Sequence, residues 1–319
     1  MTYLSSPYSG DADLAGIVEL IDACEEVDHL HDSTSVEELR VDFSFPQADP
    51  TRNARLWKDE QGRVIGYVRL WFFEPGETLD ARLIDLKVRQ EARGAALEAQ
   101  MLQWAEQRVQ EGGKEHGLAG ELQTRTRDDQ TELIELIKAR GYTLERYFWT
   151  MDRALTELIP APTLPAGFTL RQTAGTAEAE PYVAMFNDTW IDHWKGHPMT
   201  VEHYLHDMTL PDYNADMDRV VESPDGVLAA FCYSRVSEEE RARTGHGWID
   251  ALGTRRGFRK LGLARALLLD GLQRLRAAGV TTARLSVDAA SPTGANRLYE
   301  SVGFRVAETR LALAKRFPL

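Results

Sequence analysis

Four basic residues, Arg255, Arg256, Arg259 and Lys260, crowd a short stretch punctuated by Gly257 and Gly262. Their chemistry is that of anion binding. The stretch follows a run of alternating strand character, with Trp248, Asp250, Leu252 and Thr254 predicted on one face and Ile249, Ala251 and Gly253 on the other. It precedes a helical pattern in which Ala264, Leu268, Leu272 and Leu275 recur at spacings of three and four, with Gly279 placed to end it. At the start of such a helix the first amides have no internal partners, and the helix dipole adds partial positive charge. A phosphate fits there. Gly262 and Ala264 carry little or no side chain, so a pyrophosphate reaches the backbone while the basic residues supply countercharge.

Two nucleotide-binding patterns fail on the letters. Gly257 and Gly262 have the spacing of a P-loop, but Leu263 and Ala264 stand where that loop needs Lys and Ser or Thr. No G-x-G-x-x-G is present for a dinucleotide. What remains, Arg259-x-x-Gly262-x-Ala264, resembles the R/Q-x-x-G-x-G/A signature of the GNAT acetyltransferase superfamily. Downstream, the run 296–304 sets Asn296 and Tyr299 three apart on a predicted helix that ends at Gly303 and Phe304. It resembles the superfamily's second signature. The two motifs in this order, with a strand between them, are far more specific than either alone.

The elements that must position these residues follow from hydrophobic periodicity. In the C-terminal half, strands are predicted at 168–171, 219–222, 227–236, 247–254, 283–287 and 308–315, with helices near 180–190 and 201–208 besides those of the two motifs. In the N-terminal half, Leu14, Ile17, Val18, Ile21 and Cys24 mark a surface helix over 11–26. Strands follow at 55–57, 64–73, 83–88, 118–124 and 147–152, with helices at 95–110, ended by Gly112 and Gly113, and at 129–139, ended at Gly141. Between the halves, Pro160, Pro162 and Pro165 fall within six residues and mark a linker. The expected layout is a domain over 1–158, a Pro-rich linker over 159–167 and a second domain over 168–319.

The two halves repeat the same series of elements. Placing Arg93 opposite Arg259 sets Val88 opposite Thr254, Ala96 opposite Gly262 and Glu98 opposite Ala264. A carboxylate at Glu98 opposes a pyrophosphate by like charge. Aligning Gly141 and Tyr142 with Gly303 and Phe304 sets Ile134 opposite Asn296 and Ile137 opposite Tyr299, and neither isoleucine donates a hydrogen bond or a proton. The first domain is expected to keep the fold without the cofactor.

The resemblance, which covers residues 165–319 well and the first half only as a shape, implies an α/β fold. Each of two tandem GNAT-like domains is a twisted, mostly antiparallel sheet flanked by helices, and the fourth and fifth strands (247–254 and 283–287) splay apart around acyl-CoA. It implies acetyl-CoA as cofactor, bound by the backbone of Leu252, Gly253 and Thr254, by Arg259, Lys260, Leu261, Gly262, Leu263 and Ala264 at the pyrophosphate, and by Asn296. Tyr299 matches the position that serves as acid in many members. The base is left open between Asp250, nine residues before Arg259, and His246; the commonest base position is here Trp248. No metal is needed, although His193, His197, His203 and His206 lie close in sequence.

The segment 186–197 is expected to cover the acceptor side, where Asp188, Trp190, His193 and Trp194 can cradle a cationic, partly apolar amine. At 319 residues the chain suits two domains, and 43% hydrophobic with 27% charged residues is a soluble composition. No apolar run reaches the ~20 residues of a membrane helix, the N-terminus lacks a secretory layout, and Cys24 and Cys232 are too few for a disulfide framework. A cytoplasmic protein without membrane partners, monomeric or homodimeric, is expected. A net charge of −13 disfavours nucleic acid. The function expected is acetyl transfer to a small-molecule amine, an aminoglycoside-type acceptor included. The alternative is a non-catalytic acyl-CoA-binding or interaction protein on the same scaffold.

Overall fold

The computed structural model describes residues 3–45, 48–72, 79–94 and 96–319. Phe73 and Ala95, expected to end a strand and to begin a helix, lie outside them. The chain forms two compact units. Unit 1 takes the described residues of Met1–Tyr147 together with Arg310–Leu319, and unit 2 is Phe148–Thr309. The unit boundary therefore falls within strands at both ends of unit 2, and the Pro-rich stretch lies inside unit 2, where Ile159 is buried in the core and Leu164 packs against it.

Unit 1 contains β1 (Leu4–Pro7), α1 (Asp11–Asp28), α2 (Val36–Phe43), α3 (Pro50–Asn53), β2 (Ala54–Lys58), β3 (Val64–Phe72), β4 (Leu79–Val88), α4 (Ala96–His116), β5 (Ala119–Arg127) and α5 (Thr131–Ala139). β6 (Thr143–Ala154) begins in it and β12 (Arg305–Phe317) ends in it. The sheet order is β1-β2-β3-β4-β5-β12, antiparallel except for the parallel pair β4 and β5. One sheet face is covered by α1 and α2 through Leu14, Ile17, Leu20, Leu39 and Phe43. The other carries α4 and α5 through Leu97, Met101, Val109, Ile134 and Ile137.

Several features of unit 1 depart from the sequence expectation, the unpredicted β1 and α3 among them. The helix α2 was not anticipated, yet it has a capping box: Ser35 Oγ accepts from Glu38 N at 3.1 Å while Glu38 accepts from Ser35 N at 2.7 Å. Gly112 and Gly113 do not end α4, which runs through them to His116. A Cβ on Gly112 would lie 2.0 Å from Arg82 Nη2, and one on Gly113 would lie 2.7 Å from the Leu118 carbonyl. These glycines let the helix approach the sheet; the left-handed residue that follows it is Gly117, at φ +68°.

Unit 2 contains β7 (Thr169–Gln172), α6 (Ala179–Trp190), α7 (Val201–Asp207), β8 (Asp218–Glu222), β9 (Leu228–Arg235), α8 (Glu238–Thr244), β10 (His246–Thr254), α9 (Leu263–Ala277), β11 (Thr282–Asp288) and α10 (Ala295–Ser301). Its sheet order is β6-β11-β10-β9-β8-β7, with β10 and β11 parallel and the other pairs antiparallel. Under α9, Leu267, Leu268, Leu269, Leu272 and Leu275 are fully buried, each worth roughly 1.5–3 kcal/mol relative to exposure. Opposite them, α6 and α7 pack Tyr182, Met185, Phe186 and Tyr204 on Val220 and Phe231. The short helix α8, another element the periodicity did not predict, is capped by Ser237 and ended by Gly245 at φ +74°. Among the described residues no helix is long and apolar enough to cross a membrane.

Candidate active site

The parallel strands β10 and β11 are in register only at His246 with Thr282, Gly247 with Ala283 and Trp248 with Arg284. Beyond Trp248 they part, while β10 stays paired with β9 as far as Thr254. This leaves one edge of residues 249–254 facing an opening. The opening is a cleft of about 570 Å³ whose walls include Asp250, Leu252, Thr254, Arg259, Ala264 and Tyr299, a size suited to a small-molecule ligand.

At Asp250 the register of β10 against β9 shifts, with Ile249 opposite Ser234 and Ala251 opposite Tyr233. The bulge moves the alternation of side chains by one. A Cβ on Gly247 would meet Leu275 and Val280, and Ile249 and Leu252 pack on the same α9 side. Ala251 packs on the α6 side, and a Cβ on Gly253 would lie 2.4 Å from Phe231. The expected common face of Trp248, Asp250, Leu252 and Thr254 is therefore corrected: Leu252 leaves the face of Trp248. The bulge turns Asp250 outward toward Arg235, with Arg235 Nε 3.8 Å from its Oδ1. Arg235 is in turn held by Asp212 at 2.9 Å.

The basic turn closes one end of the cleft. Arg255 and Arg259 flank a single turn of tight helix at Arg256–Phe258. Lys260, at φ +65°, and Gly262, at φ +83°, then bring the chain to the start of α9. No side chain caps that helix, so its first amides remain available and alternate left-handed residues form an anion-binding concavity. A Cβ on Gly262 would meet nothing within 4 Å; the glycine is required by its backbone angle. Arg259 Nε donates to the Thr254 carbonyl at 3.2 Å. Thr254, on the cleft wall, has its Oγ1 buried without a hydrogen-bond partner among the described residues; Asn296 Oδ1 is likewise unpartnered there, but Asn296 is not one of the residues that line the cleft.

Tyr299 lines the cleft from α10 and is 8% exposed. Burial pushes its hydroxyl pKa up. Asn296, one turn earlier, donates Nδ2 to the Ala289 carbonyl at 3.0 Å, tying the loop after β11 to the helix. His246 sits at the paired end of β10, opposite Thr282 and outside the cleft walls. Its Nδ1 lies 4.0 Å from a Glu240 carboxylate that accepts from Trp248 Nε1 at 2.9 Å. The structure thus brings Asp250 and Tyr299 to one cleft and leaves His246 apart.

The segment after α6 borders the same cleft through Trp190, Asp192, His193 and Trp194. Trp190 is stacked between Phe186 at 4.6 Å and His193 at 4.8 Å, and Trp194 meets Phe148 at 5.7 Å. Asp188 is not among the cleft walls; it pairs with Arg255 at 3.2 Å. Asp192, the second aspartate of that segment, pairs with both Arg256 and Arg259. Hydrogen bonds from those two guanidiniums hold its carboxyl at about 2.

The sequence model of the acetyltransferase (GNAT) family matches residues 181–304, which span α6, the cradle and the Tyr299 helix. This unit carries a GNAT acetyltransferase domain. The chain is 34% identical over 165 residues to a mycothiol acetyltransferase of Thermobispora bispora, covering 51% of this chain and 55% of that protein. It is 26% identical over 264 residues to the enzyme of that name in Acidothermus cellulolyticus, covering 79% and 76%. A GCN5-related N-acetyltransferase structure from Sphaerobacter thermophilus superposes with a TM-score of 0.73 at 27% identity over 99% of this chain and 96% of the other. A tandem GNAT protein of the clavulanic acid biosynthesis pathway gives 0.75 at 14% identity, over 99% and 98%, and shows the shared fold alone.

Unit 1 repeats the parting of two parallel strands. Among the described residues β4 and β5 pair from Leu79 with Ala119 to Leu83 with Gln123, then part. The carboxylate of Glu98 accepts from the Gly94 amide at 3.4 Å and is almost fully buried, so a side-chain anion already sits at this cradle. Segment 28–32 lies across the opening. Glu25 accepts from the amides of Leu30 at 2.9 Å and His31 at 3.0 Å. Arg127 of β5 donates to the Asp28 carbonyl at 2.7 Å, Arg310 to that of Leu30 at 2.9 Å, and Lys87 of β4 pairs with Asp32. Ile134 and Ile137, opposite Asn296 and Tyr299, are buried in the apolar core.

Proposed function

We propose that the chain is an acyl-CoA-dependent N-acetyltransferase that works in its C-terminal domain and passes acetyl from acetyl-CoA to the amine of a small molecule. The observation that carries the reading is that the uncapped cradle at α9 and the buried phenol of Tyr299 wall one cleft between parting parallel strands. The cradle amides with Arg259 and Lys260 hold the pyrophosphate, the free edge of Leu252, Gly253 and Thr254 holds the pantetheine arm, and the unpartnered oxygen of Asn296 serves the same arm. The thioester of the co-substrate supplies the activated acetyl group. Backbone donors aimed at the developing oxyanion typically contribute a few kcal/mol.

Asp250, exposed on its bulge and borne on the cleft wall, takes the proton from the attacking amine. Tyr299, kept protonated by burial, gives its proton to the departing thiolate. The N-terminal domain is a scaffold whose own cradle is filled by Glu98 and whose opening is filled by segment 28–32. The relatives named mycothiol acetyltransferase support a finer version, a mycothiol synthase-like enzyme with a tandem layout.

A thiol-release assay on the whole chain, with acetyl-CoA and a panel of small primary amines that includes aminoglycosides, tests the proposal. Amine-dependent release is expected. Binding of acetyl-CoA with no turnover across the panel contradicts it in favour of a non-catalytic binder.

A further inference from the structure

The contact between Asp192 and the cradle arginines carries a consequence for how this domain takes up its ligands. Asp192 Oδ2 lies 2.7 Å from Arg259 Nη1, and its other oxygen is paired with Arg256. Asp192 and Arg259 also wall the same cleft as Gly262 and Ala264. An internal carboxylate thus neutralises Arg259, a cation of the cleft wall, together with the exposed Arg256 beside it.

The same residue anchors a strap. From Asp192 the chain runs on to Trp194, whose ring rests on Phe148, and Phe148 belongs to β6 opposite Asp288 at the far end of β11. The segment 192–194 therefore spans from the cradle on the β10 side to the strand next to β11, across the opening.

The repeat supplies the comparison. In unit 1, Asp28 stands in the same relation to Arg93, at 2.7 and 2.6 Å, and the following residues also cross the opening. There they are fixed by Glu25, Lys87, Arg127 and Arg310. In unit 2 the polar contacts at the cradle end include the Asp188 pair with Arg255 and the Asp192 contacts, whose members are 24%, 30% and 58% exposed; exposed ion pairs of this kind are weak. One segment is a plug and the other a strap held at its cradle end by a breakable contact.

We propose that Asp192 is an internal stand-in for the phosphate of the co-substrate, so that coenzyme A binding displaces it from Arg256 and Arg259 and frees the strap. Asp192 then sets the affinity for coenzyme A. The inference rests on the acyl-CoA reading above.

Titration calorimetry with coenzyme A on the whole chain and on Asp192→Asn tests it. The variant is expected to bind roughly two- to fivefold more tightly, since it lacks the competing charge. Equal or weaker binding by the variant, beside normal binding by the wild type, overturns the stand-in role and leaves the acyl-CoA reading intact. Failure of the wild type to bind coenzyme A overturns both. A crystal structure of the wild type with coenzyme A decides the point without any variant: Asp192 is expected out of ion-pair distance from both arginines, and its retention there overturns the proposal.

Discussion

Arg259 and Arg93 adopt the same backbone conformation, φ −69° and ψ 157°. Each donates Nε to the carbonyl five residues before it, Thr254 at 3.2 Å and Val88 at 3.0 Å. The alignment of the two halves by sequence thus holds at the level of single hydrogen bonds. What differs is the environment around the arginine: in unit 2 the first amides of α9 have no side-chain cap, while in unit 1 a glutamate reaches the corresponding turn. The arginine's contact with the strand end is common to both units, and the difference between them lies at the amides beyond it.

Replacing Tyr299 by Phe removes the proposed proton donor and keeps the buried ring against Phe304. kcat is expected to fall roughly a hundredfold or more, with KM for acetyl-CoA changed far less. Steady-state kinetics at saturating amine measure both. An unchanged kcat removes Tyr299 from the mechanism.

Asp218 is buried at the start of β8 and accepts from Tyr182 at 3.2 Å, Tyr204 at 3.2 Å and Tyr213 at 3.4 Å. Burial pushes its pKa up to about 6 from 3.8, against the lowering effect of the three phenols. The folded state thus favours the neutral acid. Its stabilisation is fully present below about pH 4 and is lost as the pH rises through 6, a loss on the order of 2–3 kcal/mol. Asp218→Asn cannot titrate, so its stability relative to the wild type is expected to improve between pH 4 and pH 7. A difference that stays flat over that range, followed by denaturant unfolding, contradicts the assignment.

The sequence made the local parts of the site legible. The cradle, the Asn296 and Tyr299 helix and the glycine ends at Gly141, Gly279 and Gly303 all depend on residues within a few positions of one another, and all lie where the spacing puts them. The bulge at Asp250 was not legible, because it is a relation between β10 and β9 and only the partner's register reveals it. The pairing of Asp192 with Arg259 spans the sequence from α6 to α9 and had no local signal. The helix α2 did have one, the Ser35 and Glu38 capping box, and its shortness hid it from a search by periodicity. Gly112 and Gly113 misled for a physical reason: a glycine that permits close packing and a glycine that ends a helix look alike as letters.

Gly112 gives a direct test of that last distinction. A methyl group there would lie 2.0 Å from Arg82 Nη2 and 2.9 Å from Asp80 Oδ2, and the Arg82 and Asp80 side chains are fully buried. Gly112→Ala is expected to destabilise unit 1 by about 2–4 kcal/mol through overpacking and disruption of that ion pair. Were the glycine a helix terminator only, the change would cost little. Denaturant unfolding with a unit 1 probe separates the two, and a loss below about 1 kcal/mol rejects the packing role.

In the function proposed above the chain has one working cradle, and a carboxylate at the Glu98 position is enough to silence the other. Titration calorimetry of coenzyme A with the whole chain, wild type beside Ala264→Glu, tests this. One site per chain is expected in the wild type and at least a tenfold loss of affinity in the variant, because the new carboxylate would face the proposed pyrophosphate across the first turn of α9. Two sites per chain, or an Ala264→Glu variant that binds coenzyme A as the wild type does, would contradict it.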